Sequence, residues 1–135
     1  MGKSSKEIAL EVLQQNDIGV LATNHNGRPN SRFMTFQFDS SKLYTIAESD
    51  STVVQELADK PNVHIVIGYE SESIFKTFLE IEGHAAFTEN EKVKKLLLEK
   101  YPASTTEEWK LIEITLVKIR IMNKNGKNKE EVSIT

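Results

Sequence analysis

IGVLATNHNGRPNSRFMTFQFDSSKLYTIA, residues 18–47, writes out three strands and two turns with almost no linker between them. Ile18 to Thr23 is a short apolar run of the kind that buried strands use. Asn24-His25-Asn26-Gly27 closes it with Asn-Gly, the strongest short-range hairpin signal. A longer strand follows at about 30–38, Asp39-Ser40-Ser41-Lys42 turns the chain again, and Lys42 to Ala47 pairs back. Turns this tight permit only antiparallel neighbours. The stretch is therefore a three-stranded meander.

Its middle strand carries one cation, Arg32, among Phe33, Met34, Phe36 and Phe38. Two readings are open. Arg32 is a surface side chain laid over phenylalanines, or its fork of donors faces an anion with a flat apolar body beside it. The next element bears on the choice. Glu48-Ser49-Asp50-Ser51-Thr52 leaves the third strand and opens a helix. Hydroxyls and free amides at a helix start accommodate an anion, although Ser51 and Thr52 are also ordinary capping residues. Adjacent strands let Arg32 and this helix start converge on one phosphate.

The rest of the chain extends the pattern. Ser4 and Glu7 form a capping box for a helix with Ile8, Val12 and Leu13 on its apolar face. The helix from Ser51 carries Val53, Val54, Leu57 and Ala58 and stops before Pro61. Residues 62–69 form a strand, and Thr77 to Phe87 alternates cleanly, with Leu79, Ile81, Ala85 and Phe87 on one side and Glu80, Glu82 and His84 on the other. Thr88 and Glu91 spell another capping box before a helix that ends by Pro102, and a short capped turn is expected at 104–109. Lys110 to Met122 is a long strand whose apolar face switches near Leu116-Val117, the mark of a bulge. Residues 1–122 make one domain; 123–135 are a polar tail, either disordered or turned at Asn125-Gly126 into a weak hairpin. Helix, three strands, helix, two strands, helix and one or two strands describe a mainly β protein, an antiparallel barrel with peripheral helices.

Composition narrows the function. The chain has 135 residues, 39% hydrophobic and 27% charged, with a net charge of −3. Scattered Lys and Arg give no nucleic-acid footprint. The absence of cysteine excludes disulfides, thiolate metal sites and cysteine nucleophiles. No apolar run approaches the ~20 residues of a membrane span, and the amino terminus reads as an amphipathic helix rather than a signal peptide. A soluble cytoplasmic protein is the expectation. His25, His64 and His84 show no ligand spacing, so no metal site is expected, and Glu80 with Glu82 reads as a solvated face.

In order along the chain, IGVLAT, GRPNSRFMTFQFD, KLYTIAESDSTVVQELADKPNVHIVI and LEIEGHAAF resemble the pyridoxamine 5′-phosphate oxidase-like flavin-binding split barrels, nearest their general stress protein branch. The likeness runs over about residues 5–122. It implies a six-stranded antiparallel split barrel and a homodimer with FMN at the interface. It also implies that Arg32 binds the flavin phosphate, completed by Ser51 and Thr52, and that Phe33, Met34 and Thr35 run beside the isoalloxazine ring. Thr45, Ile46 and Ala47 would lie along the ring or ribityl chain, and Trp109 would approach from the second subunit.

Two departures qualify the likeness. Where such proteins often place a phosphate-binding lysine, this chain has Val53. That leaves open weaker FMN binding, FAD instead, or a replacement cation from Lys76 or Lys110. The closing KIRIMNKNGKNKEEVSIT also lacks the arginine and histidine segment of the vitamin B6 oxidases. The resemblance thus implies a flavin-dependent oxidoreductase other than a pyridoxine phosphate oxidase, with an electron donor or acceptor such as NAD(P)H, a quinone, a nitro-compound or oxygen. The alternatives are a non-enzymatic flavin-binding or redox-sensing module, and a barrel that takes a deazaflavin, haem or another tetrapyrrole. No residue stands out as a catalytic acid or base.

Overall fold

A computed structural model describes residues 2–70, 77–100, 108–123 and 130–134. Its elements are α1 (Ser5–Gln15), β1 (Ile18–His25), β2 (Arg28–Asp39), β3 (Lys42–Glu48), α2 (Thr52–Asp59), β4 (Asn62–Ile67), β5 (Thr77–Thr88), α3 (Glu91–Leu98), β6 (Trp109–Asn123) and β7 (Glu130–Val132). The strands run in the order β3-β2-β1-β4-β5-β6-β7, all antiparallel, and β3 pairs again with β6. That last pairing closes six strands into the expected barrel, with β7 laid outside on β6.

Period-2 alternation fills the inside. Leu21, Phe36, Leu43, Ile65, Ile67, Leu79, Ile81, Ile112 and Ile114 are each 0–1% exposed and form one core. The amphipathic α1 presses Ala9, Val12 and Leu13 into that core, and α2 contributes Val53, Val54 and Leu57. On the outer face of β3, Tyr44 and Ile46 pack beneath Val93 and Leu97 of α3 in a second, smaller cluster.

Sequence signals account for most boundaries. Ser4 caps α1 through a complete capping box with Glu7. Asn26 and Gly27, with φ of 51° and 78°, make the two-residue turn that the Asn-Gly pair requires. The expected bulge is present: Glu82 pairs with Lys118 and Gly83 with Leu116, so Val117 is the extra residue and is 67% exposed. Gly83 is needed there, because a Cβ would stand 2.6 Å from Ile114 Cγ2.

Two expectations change, and one left open is decided. The cap of α3 is Asn90, whose side chain accepts from the Val93 N–H at 3.2 Å, because Thr88 is still paired in β5 with Leu111. Phe87 keeps its alternation but lies past the end of the core, 40% exposed, with the Lys110 ammonium 5.6 Å from its ring centre. Of the two readings of the carboxy-terminal segment, the described residues show a paired strand: β7 lies antiparallel on β6 and Ile134 joins the core at 8% exposure. Of the turn expected at 104–109, residues 104–107 lie outside the described residues and Trp109 already opens β6, and the turn expected at Asn125-Gly126 lies outside them as well.

The β2–β3 turn places Ser40 and Ser41 at φ of 49° and 71°, the left-handed region, without the glycine that region favours. Ser41→Gly should relieve this and raise stability by about 1 kcal/mol. A urea midpoint that rises with unchanged slope is the expected result; an unmoved midpoint would show the turn to be unstrained.

Candidate functional site

The site begins with a parting of two strands. β2 pairs with β1 from Arg28 to Thr35, yet it pairs with β3 only from Phe36 to Asp39. Past Thr45, β3 stays with β6 as far as Glu48 opposite Trp109. At the vertex the Thr45 hydroxyl donates to the Thr35 carbonyl at 2.7 Å. Beyond it, residues 32–35 of β2 and residues 45–47 of β3 form the two margins of a split, and among the described residues no strand pairs across it. These are the two stretches singled out in the sequence.

Side chains alternate across those margins. Arg32 and Met34 point to the inner side, Met34 packing on the core, while Phe33 stands outside at 77% exposure and Thr35 shares that outer face. Thr45 and Ala47 are buried inside, and Ile46 is buried outside beneath α3. What these residues jointly offer the split is therefore main chain, not a row of side chains.

Arg32 is engaged by the protein itself. Its Nη1 donates to Thr23 Oγ1 at 2.8 Å and to the Leu21 carbonyl at 3.3 Å, and its Nη2 donates to Glu56 Oε1 at 2.9 Å. Glu56 is 1% exposed and also accepts from Thr23 at 2.7 Å and from Asn30. Burial pushes the Glu56 carboxyl up, but hydrogen bonds from Thr23, Asn30 and Arg32, with the arginine's charge, outweigh it and hold it below its ordinary value. Glu56 is thus an ionised carboxylate inside the barrel mouth. The Arg32 side chain remains 26% exposed, and its Nε–H meets no acceptor among the described residues.

Helix α2 brings its first turn to the same end of the barrel. Ser51 is the cap, accepting from the Val54 N–H at 3.4 Å. The Thr52 and Val53 amides belong to the orphan donors of that turn. Val53 is a core side chain at 7% exposure, so it supplies an amide but no charge. Of the two replacement cations considered, Lys110 sits over Phe87, and Lys76 lies outside the described residues. Trp109 opens β6 opposite Glu48, on the α3 side of the sheet, and the neighbouring Glu108 carbonyl accepts from the Ser49 N–H at 2.9 Å. Within one chain it borders the strand-to-helix connection rather than Arg32.

No group of three or more metal-ligating side chains occurs among the described residues. Glu80 and Glu82 are both bridged by Arg120, at 3.3 Å each, an outer-face ion cluster rather than an acid/base pair. Elsewhere Lys42 and Tyr44 both meet Glu113. The Lys42 hydrogen bond is the main influence lowering the Glu113 carboxyl, while burial and then Glu113 raise the Tyr44 phenol.

A split barrel with an arginine and a helix start at its mouth invites comparison with known proteins. Residues 5–123 match the family model of pyridoxamine 5′-phosphate oxidase. The chain belongs to this family. Among the family's proteins it is 32% identical over 131 residues to General stress protein 26 of Bacillus subtilis strain 168, covering 90% of this chain and 91% of that one. The crystal structure of General Stress Protein 26 from Bacillus anthracis matches with a TM-score of 0.77 at 25% identity, over 94% of this chain and 96% of that one. Fold alone is shared with a FAD-binding protein of Mesorhizobium loti (TM-score 0.68, 15% identity, 87% and 92% coverage). The same holds for a heme binding protein of Mycobacterium smegmatis (TM-score 0.77, 17% identity, 98% and 59% coverage). No helix among the described residues is long and apolar enough to cross a membrane.

Glu56, Thr23 and Asn30 escaped the sequence reading. A signal was present: Glu56 follows Val53 by three positions and precedes Leu57, which puts it on the buried side of α2. The consequence is measurable. A folded-state pKa below the unfolded one contributes stability that is complete above the unfolded value, near 4.5, and is lost as pH falls through the lower folded value. Glu56→Gln should therefore flatten the acid limb of stability below about pH 4.5, read as urea midpoints. An acid limb parallel to that of the unaltered protein would show that other carboxylates, such as Glu113, govern it.

Proposed function

We propose that this protein binds a flavin along the split between β2 and β3 and acts as a flavin-dependent oxidoreductase. The observation that carries the reading is the ion pair that ties Arg32 to α2 through Glu56, in the helix that Ser51 caps, with the Nε edge of Arg32 unengaged among the described residues. One edge of a guanidinium and two main-chain amides suit phosphate oxygens. Behind them, the main-chain margins at 32–35 and 45–47 suit the polar rim of a flat heterocycle.

FMN is the flavin this reading favours, with FAD the alternative; the FAD-binding fold neighbour supports flavin in general. The flavin, when bound, supplies the hydride or electron transfer. This chain's residues then bind, orient and shield it. Arg32 with Ser51 and Thr52 holds the phosphate end, the β2 and β3 margins hold the ring and ribityl chain, and Met34 closes the inner side. The substrate belongs to a class that exchanges electrons with a flavin, such as a reduced nicotinamide, a quinone or a nitro-compound.

A homodimer belongs to the same proposal. Ile18 and Phe33 are 58% and 77% exposed on the outer face of β1 and β2, beside the pair Val20 and Val66. No helix covers that face among the described residues, and a second copy laid on it would cover the outer side of the split, with Trp109 offered from the partner. The cytoplasmic setting expected from the sequence is part of the reading as well.

Protein purified from a flavin-replete host should be yellow, with flavin absorption bands. Colourless protein that takes up neither FMN nor FAD on titration would end the proposal. Arg32→Ala should weaken FMN binding by at least tenfold, since it removes a charge-assisted donor and leaves Glu56 unbalanced. An unchanged dissociation constant would move the phosphate elsewhere. Light scattering at micromolar concentration should give the mass of a dimer.

A further inference from the structure

We propose that Glu56 is the residue that sets how strongly this site selects for the flavin's terminal phosphate: its carboxylate cancels the charge of Arg32, so the site distinguishes weakly between a flavin that carries the phosphate dianion and one that lacks it. The inference rests on the flavin site proposed above.

The geometry is that of a closed ion pair. Glu56 Oε1 lies 2.9 Å from Arg32 Nη2 and is held there by Thr23, which bonds both partners, at 2.7 Å to the carboxylate and 2.8 Å from the guanidinium. Asn30 takes the other oxygen. With three hydrogen-bonding partners and 1% exposure, the carboxylate is neither rotated away nor neutralised near pH 7. Solvent screens such a buried charge poorly.

The surroundings add to the effect. From residue 48 to residue 59 the chain carries Glu48, Asp50, Glu56 and Asp59 and not one Lys, Arg or His. Val53 places a buried apolar side chain in the first turn of α2, so that turn offers amides only. A phosphate monoester carries −1.5 to −2 charges at neutral pH. Placed at the Nε edge of Arg32, it would meet one guanidinium whose charge is already matched, and a helix start whose own connection is acidic. Hydrogen bonds remain available to it, but net attraction does not.

Glu56 therefore has two opposed effects on a bound phosphate. It fixes the guanidinium plane, which helps, and it repels the dianion, which hinders. Orientation survives in a glutamine at this position, because its carbonyl oxygen can still accept from Arg32 and Thr23. Repulsion does not survive. Glu56→Gln thus isolates the charge from the geometry.

The test is the ratio of dissociation constants for riboflavin and FMN, measured by quenching of flavin fluorescence in low-salt buffer at pH 7.5. The unaltered protein should prefer FMN by less than about tenfold, and Glu56→Gln should raise that preference by about another tenfold, mainly through tighter FMN. A merely structural role for Glu56 would weaken both ligands together and leave the ratio alone. Should the variant not fold, the ratio for the unaltered protein decides by itself. A preference above about a hundredfold, or a ratio untouched by Glu56→Gln, overturns the inference while leaving the flavin site standing. Failure of both flavins to bind overturns the flavin site and this inference with it.

Discussion

β3 has seven residues and two neighbours to satisfy. All seven are committed to β6, from Lys42 opposite Thr115 to Glu48 opposite Trp109, and only four also face β2. A barrel of six strands closes only if one strand crosses from the start of the sheet to its end, and strand tilt makes that strand diverge from its hairpin partner. The split is thus the geometric consequence of closure, fixed by where the Ser40-Ser41 turn sets the register. Every residue assigned to the candidate site gains its place from that divergence. Margins 32–35 and 45–47 would be ordinary ladder if β3 continued along β2.

A charge at the barrel mouth is the second consequence. Where the strands part, β2 still alternates, so Arg32 follows Met34 and Phe36 to the inner side. An arginine there without a counter-charge would bear a desolvation cost that hydrogen bonds to Thr23 and Leu21 do not cover. Glu56 supplies the charge from α2, and the two elements become mutually dependent. Losing one partner of a buried pair costs about 3–5 kcal/mol, and the partial exposure of Arg32 places this pair toward the lower end. The pair also ties α2, and with it the Ser51 cap, to the split.

Much of the fold was legible because its signals are local. Asn26-Gly27 dictates a two-residue turn, Ser4 and Glu7 dictate a cap, and the phase change at Leu116-Val117 dictates a bulge, each within a few residues. What escaped depends on distant partners. Thr88 looked like a cap, but β6 holds it as strand. The tail left disorder and a weak hairpin both open, and only the edge that β6 offers Glu130–Val132 and the place the core offers Ile134 decide between them. The arginine was legible as an oddity on its strand. Its carboxylate was not, since a glutamate on a helix is ordinarily solvated and only the tertiary fold brings it under β2.

The alternation of β2 also limits how such a site can work. Arg32 and Phe33 are adjacent in sequence and lie on opposite faces of one strand, so no ligand can use both side chains from a single side. A ligand that meets Arg32 at the inner mouth must pass along the main chain of residues 33–35 to reach the outer face. Phe33, exposed beside Ile18, then belongs to whatever covers that outer face rather than to the anchor. For the proposed flavin site, recognition would divide accordingly: charge would be settled inside, by Arg32 with Glu56, and the apolar cover supplied outside. The main chain of the split connects the two, so that residues of no particular side-chain chemistry, such as Ile46 and Ala47, line it as fully as Thr45, whose hydroxyl bonds across its vertex.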